Sequence, residues 1–246
     1  MRFSLFSTPP DPDHVEVAHG EASYKVLVRR RPTARRMTLR VSSASGDIVL
    51  TLPTRSELKA GVQFAQAHGG WIAARVAKRP RNVPFAAGSL IPFRGEPHRI
   101  VHWSTIRGVT RAARDPEGQP IIAVSGDKAN LSRRITDFLK REALKDLNAA
   151  VDRHSARLGV PARKVTVRDT TSRWGSCSST GALSFSWRLI LAPPLVLDYL
   201  AAHEVAHLKE MNHSHRFWAL THRLCPATEE AEAWLKRNGS GLHRYG

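Results

Sequence analysis

Short runs in which apolar and polar residues alternate open the chain. "SYKVLVRR", "RRMTLRVSS" and "GDIVLTLP" each read as a strand, divided by Pro32 and by a turn at Ser45–Asp47. From Arg55 the period changes. "RSELKAGVQFAQAHGGWIAARVAKR" spaces its apolar residues as a helix does, with Gly69-Gly70 as an interruption and Pro80 as a stop. Two consecutive helices or one broken helix are expected there. Between Pro84 and Ser125, "HRIVHW" and "PIIAV" predict a second small set of strands.

A long helix follows. Leu131, Ile135, Phe138, Leu139, Leu147 and Val151 form one stripe, with Gly159 placed to cap it and Pro161 to stop it. "KVTVRDTTSRWGSCSSTGALSFSWRLILAP" then reads as a strand, a loop and a second strand over Ala182–Leu191, turning at Ser179–Gly181. Pro193 and Pro194 suit the first turn of a helix filled by "LVLDYLAAHEVAHLKEM". Two short helices, about 215–224 and 228–238, close the fold. The pattern predicts an α+β protein. An N-terminal β/α part at 23–125 and a more helical part at 126–239 are expected between flexible tails at 1–22 and 240–246. No internal repeat or low-complexity segment is evident.

Composition changes this picture in two places. The chain has 246 residues and a formal net charge of +17, from 38 Lys and Arg against 21 acids. Seven of the basic residues lie in "YKVLVRRRPTARRMTLR" (Tyr24–Arg40), which has no acid. That excess raises nucleic acid as a partner class, but a solvated basic face is the plainer reading, and no aromatics interleave the run. Two cysteines, Cys177 and Cys225, exclude a disulfide framework and a four-cysteine zinc site. With no apolar run long enough to span a membrane and no secretory signal pattern, a cytoplasmic protein is expected.

The candidate chemistry sits in "HEVAHLKEMNHSHRFW" (His203–Trp218), four histidines and two glutamates in sixteen residues. Residues four apart on a helix share a face, so His203 and His207 can grip one ion, while Glu204 reaches a water as general base. A catalytic zinc site takes three protein ligands and leaves a fourth position open. His213 stands at the spacing of an extended motif, with Glu210 where that motif has glycine. Asn212 tolerates the left-handed conformation that would reverse the chain before it. Spacing favours His213 as third ligand, with His215 and Glu210 as alternatives. Arg173 and Trp174, and His215 if it is not a ligand, are candidates to border a substrate cleft. Cys177 as a blocking fourth ligand is the weaker reading beside a buried structural cysteine.

These residues carry a resemblance. Arg173–Cys177 (RWGSC), Ser186–Leu189 (SWRL), His203–His207 (HEVAH) and Asn212–Ser214 with Phe217-Trp218 resemble the YgjP-like metallopeptidase domain, related to the SprT- and wss1-like zinc proteases. Ser186 stands where that pattern usually has Asn, and Val205 where it has Leu. The resemblance, over about Tyr24–Gly239, implies a zincin-like core of antiparallel sheet and active-site helix preceded by a mixed β/α region. It implies Zn2+ held by His203, His207 and His213, with Glu204 catalytic and a peptide or protein as substrate. The strand at Ala182–Leu191 is then expected to serve as an edge for an extended peptide.

Overall fold

The computed structural model describes residues 11–42, 46–78, 81–104 and 108–246. Residues 1–10 of the expected tail, Ser45 of the expected turn and the Pro80 stop lie outside the described residues. Two compact units are present, Met1–Pro80 and Arg81–Gly246.

In the first unit, β1 (His14–His19), β2 (Ala22–Arg31), β3 (Thr38–Val41) and β4 (Ile48–Pro53) form a sheet in the order β1-β2-β4-β3. The expected flexible tail is thus structured from His14 onward. Val15 and Val17 alternate with polar residues and pair with Val26 and Tyr24, and Val17 is fully buried. Val26, Ile48, Leu50 and Leu52 share that core with Ala65 of α1 (Leu58–Ala67) and Ile72 of α2 (Gly69–Ala77). The helical run is broken at His68, and the glycines after it let β1 approach. A Cβ on either Gly69 or Gly70 would lie 3.2 Å from His19.

In the second unit, β5 (Leu90–Phe93), β6 (Glu96–Trp103), β7 (Arg111–Arg114) and β8 (Pro120–Ser125) form a sheet in the order β5-β6-β8-β7. Its pairing repeats that of the first sheet: an antiparallel hairpin, a parallel pair, then an antiparallel edge. The chain therefore contains an internal structural repeat that its residues do not announce, because pairing rather than residue identity is what recurs. The unit boundary also falls after Pro80 rather than at 125. The physical reason is that Ile91, Phe93, Ile100, Ile122 and Val124 join one core with Leu131, Ile135, Phe138 and Leu139 of α3 (Leu131–Leu158).

Gly159 ends α3 at φ 71°, as its cap position requires. β9 (Lys164–Arg168), β10 (Gly175–Cys177) and β11 (Ala182–Ser186) make a sheet in the order β10-β11-β9. Two expectations are corrected here. The strand stops at Ser186, whose hydroxyl accepts from the Arg188 amide and starts a 3₁₀ turn over Trp187–Leu191. β11 is also the central strand, paired on both sides, so it offers no edge to a peptide.

α4 (Pro194–Ala206), α5 (His215–Leu224) and α6 (Thr228–Asn238) complete the unit. α4 is apolar nearly all round and buried, with Val196, Ala201, Ala202, Val205 and Ala206 inaccessible to solvent. The expected C-terminal tail is docked as well. Leu242 is buried, and Arg188 Nη1 donates to the carbonyls of Leu242 and Tyr245 at 3.3 and 2.6 Å.

Candidate metal centre

The last turn of α4 carries His203, and His207 caps its C-terminus. The helix ends short of Met211, and the reversal does not use a left-handed Asn212. Arg94 is the only described non-glycine residue at positive φ. Instead the chain tightens after His207, with the Leu208 amide bonded to Val205 and the Glu210 amide to Ala206. This turn aims the Glu210 carbonyl at His207 Nδ1, 3.0 Å away. Ser214 then starts α5, its hydroxyl accepting from the Phe217 amide at 3.3 Å.

The result brings His203, His207 and His213 together, one ring nitrogen of each lying within 4.8 Å of the others. Nε2 of His203 and Nε2 of His213 face each other at 3.1 Å. Phe217, fully buried, stacks against His207 with centroids 4.4 Å apart and forms the floor of the cluster. Among the described residues this is the one grouping of three or more such side chains able to hold a metal ion. His215 is not part of this grouping and is exposed at the start of α5. Glu210 contributes its backbone carbonyl and not its carboxylate.

Burial shapes the electrostatics. It pushes the His203 imidazole down to about 4, helped by the neighbouring His207 and His213. His207 is also lowered by burial and by His213, against the bond it donates to the Glu210 carbonyl. Imidazoles that resist protonation keep a lone pair free for a cation. Glu204, only 4% exposed, is raised to about 7 by burial, with Arg173 pulling the other way.

β10 runs directly over this carboxyl. A Cβ built on Gly175 would stand 2.4 Å from Glu204 Oε1 and 2.8 Å from its Cγ, so the strand passes only because residue 175 has no side chain. A cavity of about 440 Å³ opens beside Glu204, lined by His203, Trp174, Tyr199, Glu232 and Leu235 among others. Trp174 therefore borders the site, held by stacking on His243 at 5.1 Å. Arg173 is exposed and acts on Glu204 through its charge. Cys177, half-buried on β10, donates its thiol to the Ser178 carbonyl and lies outside the histidine cluster.

Two residues of the site escape a reading by motif. Tyr199 donates its hydroxyl to Glu232 at 2.6 Å and lies 3.3 Å from His203 Nδ1. Burial and Glu232 hold its phenol protonated far above its ordinary range. Tyr199 precedes His203 by one helical turn, a spacing that could have revealed it. Glu232 comes from α6, and no local pattern points to it.

Three converging imidazoles that could hold a metal ion thus stand beside a buried carboxyl group. The family model for the YgjP-like metallopeptidase domain matches residues 35–238, and the chain belongs to that family. It is a metallopeptidase domain acting on a peptide or protein. Comparison with curated proteins finds no match. Among solved structures the chain is similar to the metallopeptidase zymogen of Pyrococcus abyssi abylysin. The two are 22% identical with a TM-score of 0.35, over 40% of this chain and 97% of that one.

Proposed function

We propose that the protein is a zinc-dependent peptidase in which His203, His207 and His213 hold the ion and Glu204 is the general base. The observation that carries this reading is the cluster itself: three imidazole nitrogens within 4.8 Å beside a buried carboxyl that opens onto a cavity. The donor set fits zinc. Imidazoles bound tetrahedrally at about 2.0–2.1 Å place their nitrogens roughly 3.3 Å apart, close to the 3.1 Å between His203 and His213. An all-nitrogen triad suits zinc better than magnesium or calcium, which take oxygen ligands.

When bound, zinc supplies Lewis acidity that polarises the attacking water and the scissile carbonyl. The chain's own residues do the rest. Glu204 accepts the water's proton at its carboxylate and returns it to the leaving amine, and a pKa near neutrality suits both transfers. Leu235 and Trp174 give the cavity an apolar wall for a substrate side chain, with Lys236 also in its lining. An extended peptide is accommodated along β10, paired within its sheet only to β11. Together, α4 and the β9–β11 sheet make the zincin-like arrangement that we assign to this unit, although the sheet is mixed rather than antiparallel as expected, because β9 runs parallel to β11.

No described helix is long and apolar enough to cross a membrane. Nucleic acid is a second partner class, favoured only by the charge. Lys25, Arg29, Arg31 and Arg40 stand exposed on the first sheet, and a steep salt dependence of DNA binding would support a role for them. The test of the main reading is metal content and peptide hydrolysis for the wild type, His213→Ala and His215→Ala. Zinc and activity should vanish in the first variant and persist in the second. Loss in the second alone would overturn the ligand set.

A further inference from the structure

We infer that Tyr199 and Glu232 are positioning residues for the metal: a relay from the Glu232 carboxylate through the Tyr199 hydroxyl to Nδ1 of His203 fixes which nitrogen of His203 faces the ion. The inference rests on the zinc reading above. Tyr199 has one hydroxyl proton, and it goes to Glu232 Oε1 at 2.6 Å, a short charge-assisted bond. Toward His203 Nδ1, 3.3 Å away, the same oxygen can then only accept. Nδ1 must carry the imidazole proton, which leaves the lone pair on Nε2, the atom that faces His213 at 3.1 Å.

His207 is set in the same tautomer by different means, donating from Nδ1 to the Glu210 carbonyl at 3.0 Å. The two ligands thus differ in what stands behind them. A neutral carbonyl orients His207, whereas an anion one hydroxyl removed orients His203 and makes its Nε2 a stronger donor. The relay also joins α6 to the last turns of α4, so a segment outside the motif has a direct hold on the metal. A purely structural role, pinning one helix to the other, would affect stability without affecting the ion.

The test uses the full chain with Tyr199→Phe and Glu232→Gln, and Glu229→Gln, on the first turn of the same helix, as control. Zinc affinity is measured by competition with a chromophoric chelator. The visible spectrum of the cobalt-substituted protein and the melting temperature of the metal-free protein are recorded beside it. Tyr199→Phe removes both bonds and should weaken zinc about 10- to 100-fold, with an altered cobalt spectrum. Glu232→Gln keeps an acceptor for the hydroxyl but removes the charge, so a smaller loss, about 3- to 10-fold, is expected, with the melting temperature unchanged. Glu229→Gln should match the wild type.

Wild-type affinity and spectrum in both relay variants would overturn the inference while leaving the zinc reading intact. A wild type that binds no zinc would overturn both. Should Tyr199→Phe fail to fold, Glu232→Gln decides: undiminished zinc binding there overturns the relay.

Discussion

Two hairpin turns occupy the same place in two sheets of one topology, yet their surroundings are opposite. Gly20 joins β1 to β2 at φ 60° with nothing within 4 Å of where a Cβ would be. Gly95 joins β5 to β6 at φ 81°, and its Cβ would stand 2.9 Å from Cα of Pro193, the residue that opens α4. Beside it Arg94 is held at φ 52° with its amide donating to the Ile190 carbonyl at 2.7 Å. Its guanidinium bridges to Asp146 of α3 at 2.7 and 2.9 Å. The first turn closes a hairpin and does nothing else visible. The second clamps α3 to the start of the helix that ends in His203, Glu204 and His207. One arrangement of strands ends in an open turn in one unit and in a turn that braces the histidine-bearing helix in the other.

If the second unit alone holds the chemistry, the largest effect belongs to Glu204. Glu204→Gln should lower kcat by about 10²- to 10⁴-fold with zinc content unchanged. Activity near the wild-type value would dismiss Glu204 as the base. The first unit offers the contrasting case. Leu50→Ala should destabilise it by about 2–5 kcal/mol, since Leu50 is fully buried, while zinc affinity stays as it was. Loss of zinc in that variant would show that the two units are energetically one.

The turns themselves give the next contrast. Gly20→Ala should cost about 1 kcal/mol, the strain of a left-handed alanine, as read by chemical denaturation. Gly95→Ala adds a backbone clash and should cost about 3 kcal/mol, with weakened peptide hydrolysis. Equal costs would remove the distinction between free turn and brace.

A further effect concerns pH in the chelated, metal-free protein. Burial raises Glu204 to about 7, so its contribution to stability is fully present below about pH 4.5 and lost as pH rises through 7. His203, lowered to about 4, works in the opposite sense, losing stability as pH falls from 6.5, but it is common to wild type and Glu204→Gln and cancels in their difference. The glutamine variant should therefore gain on the wild type between pH 4.5 and 7, on the order of 3 kcal/mol. A flat difference would contradict the burial of that carboxyl.

Periodicity alone made much of this fold legible. β2, β3 and β4 fall on the three alternating runs, and α3 follows the stripe from Leu131 to Val151 and ends at Gly159. The pairing of His203 with His207 was legible because four residues make a helical turn, and the structure brings His213 beside them. What stayed hidden depends on contacts distant in sequence. That β11 is central is a matter of which strands pair with it. The end of α4 depends on a carbonyl reaching back to His207, and Glu232 approaches from another helix. The first core's boundary was misplaced because β5–β8 look, residue by residue, as ready to pack on α1 and α2 as on α3.

Gly175 has a consequence for how such proteins are sorted. With a methyl group at that position, Glu204 would have to swing away, yet every residue of HEVAH and the third histidine would remain in place. On the zinc reading proposed above, such a chain would keep its three histidines and lose the carboxyl beside them. The motif alone does not place that carboxyl; the strand that crosses above it does so as well.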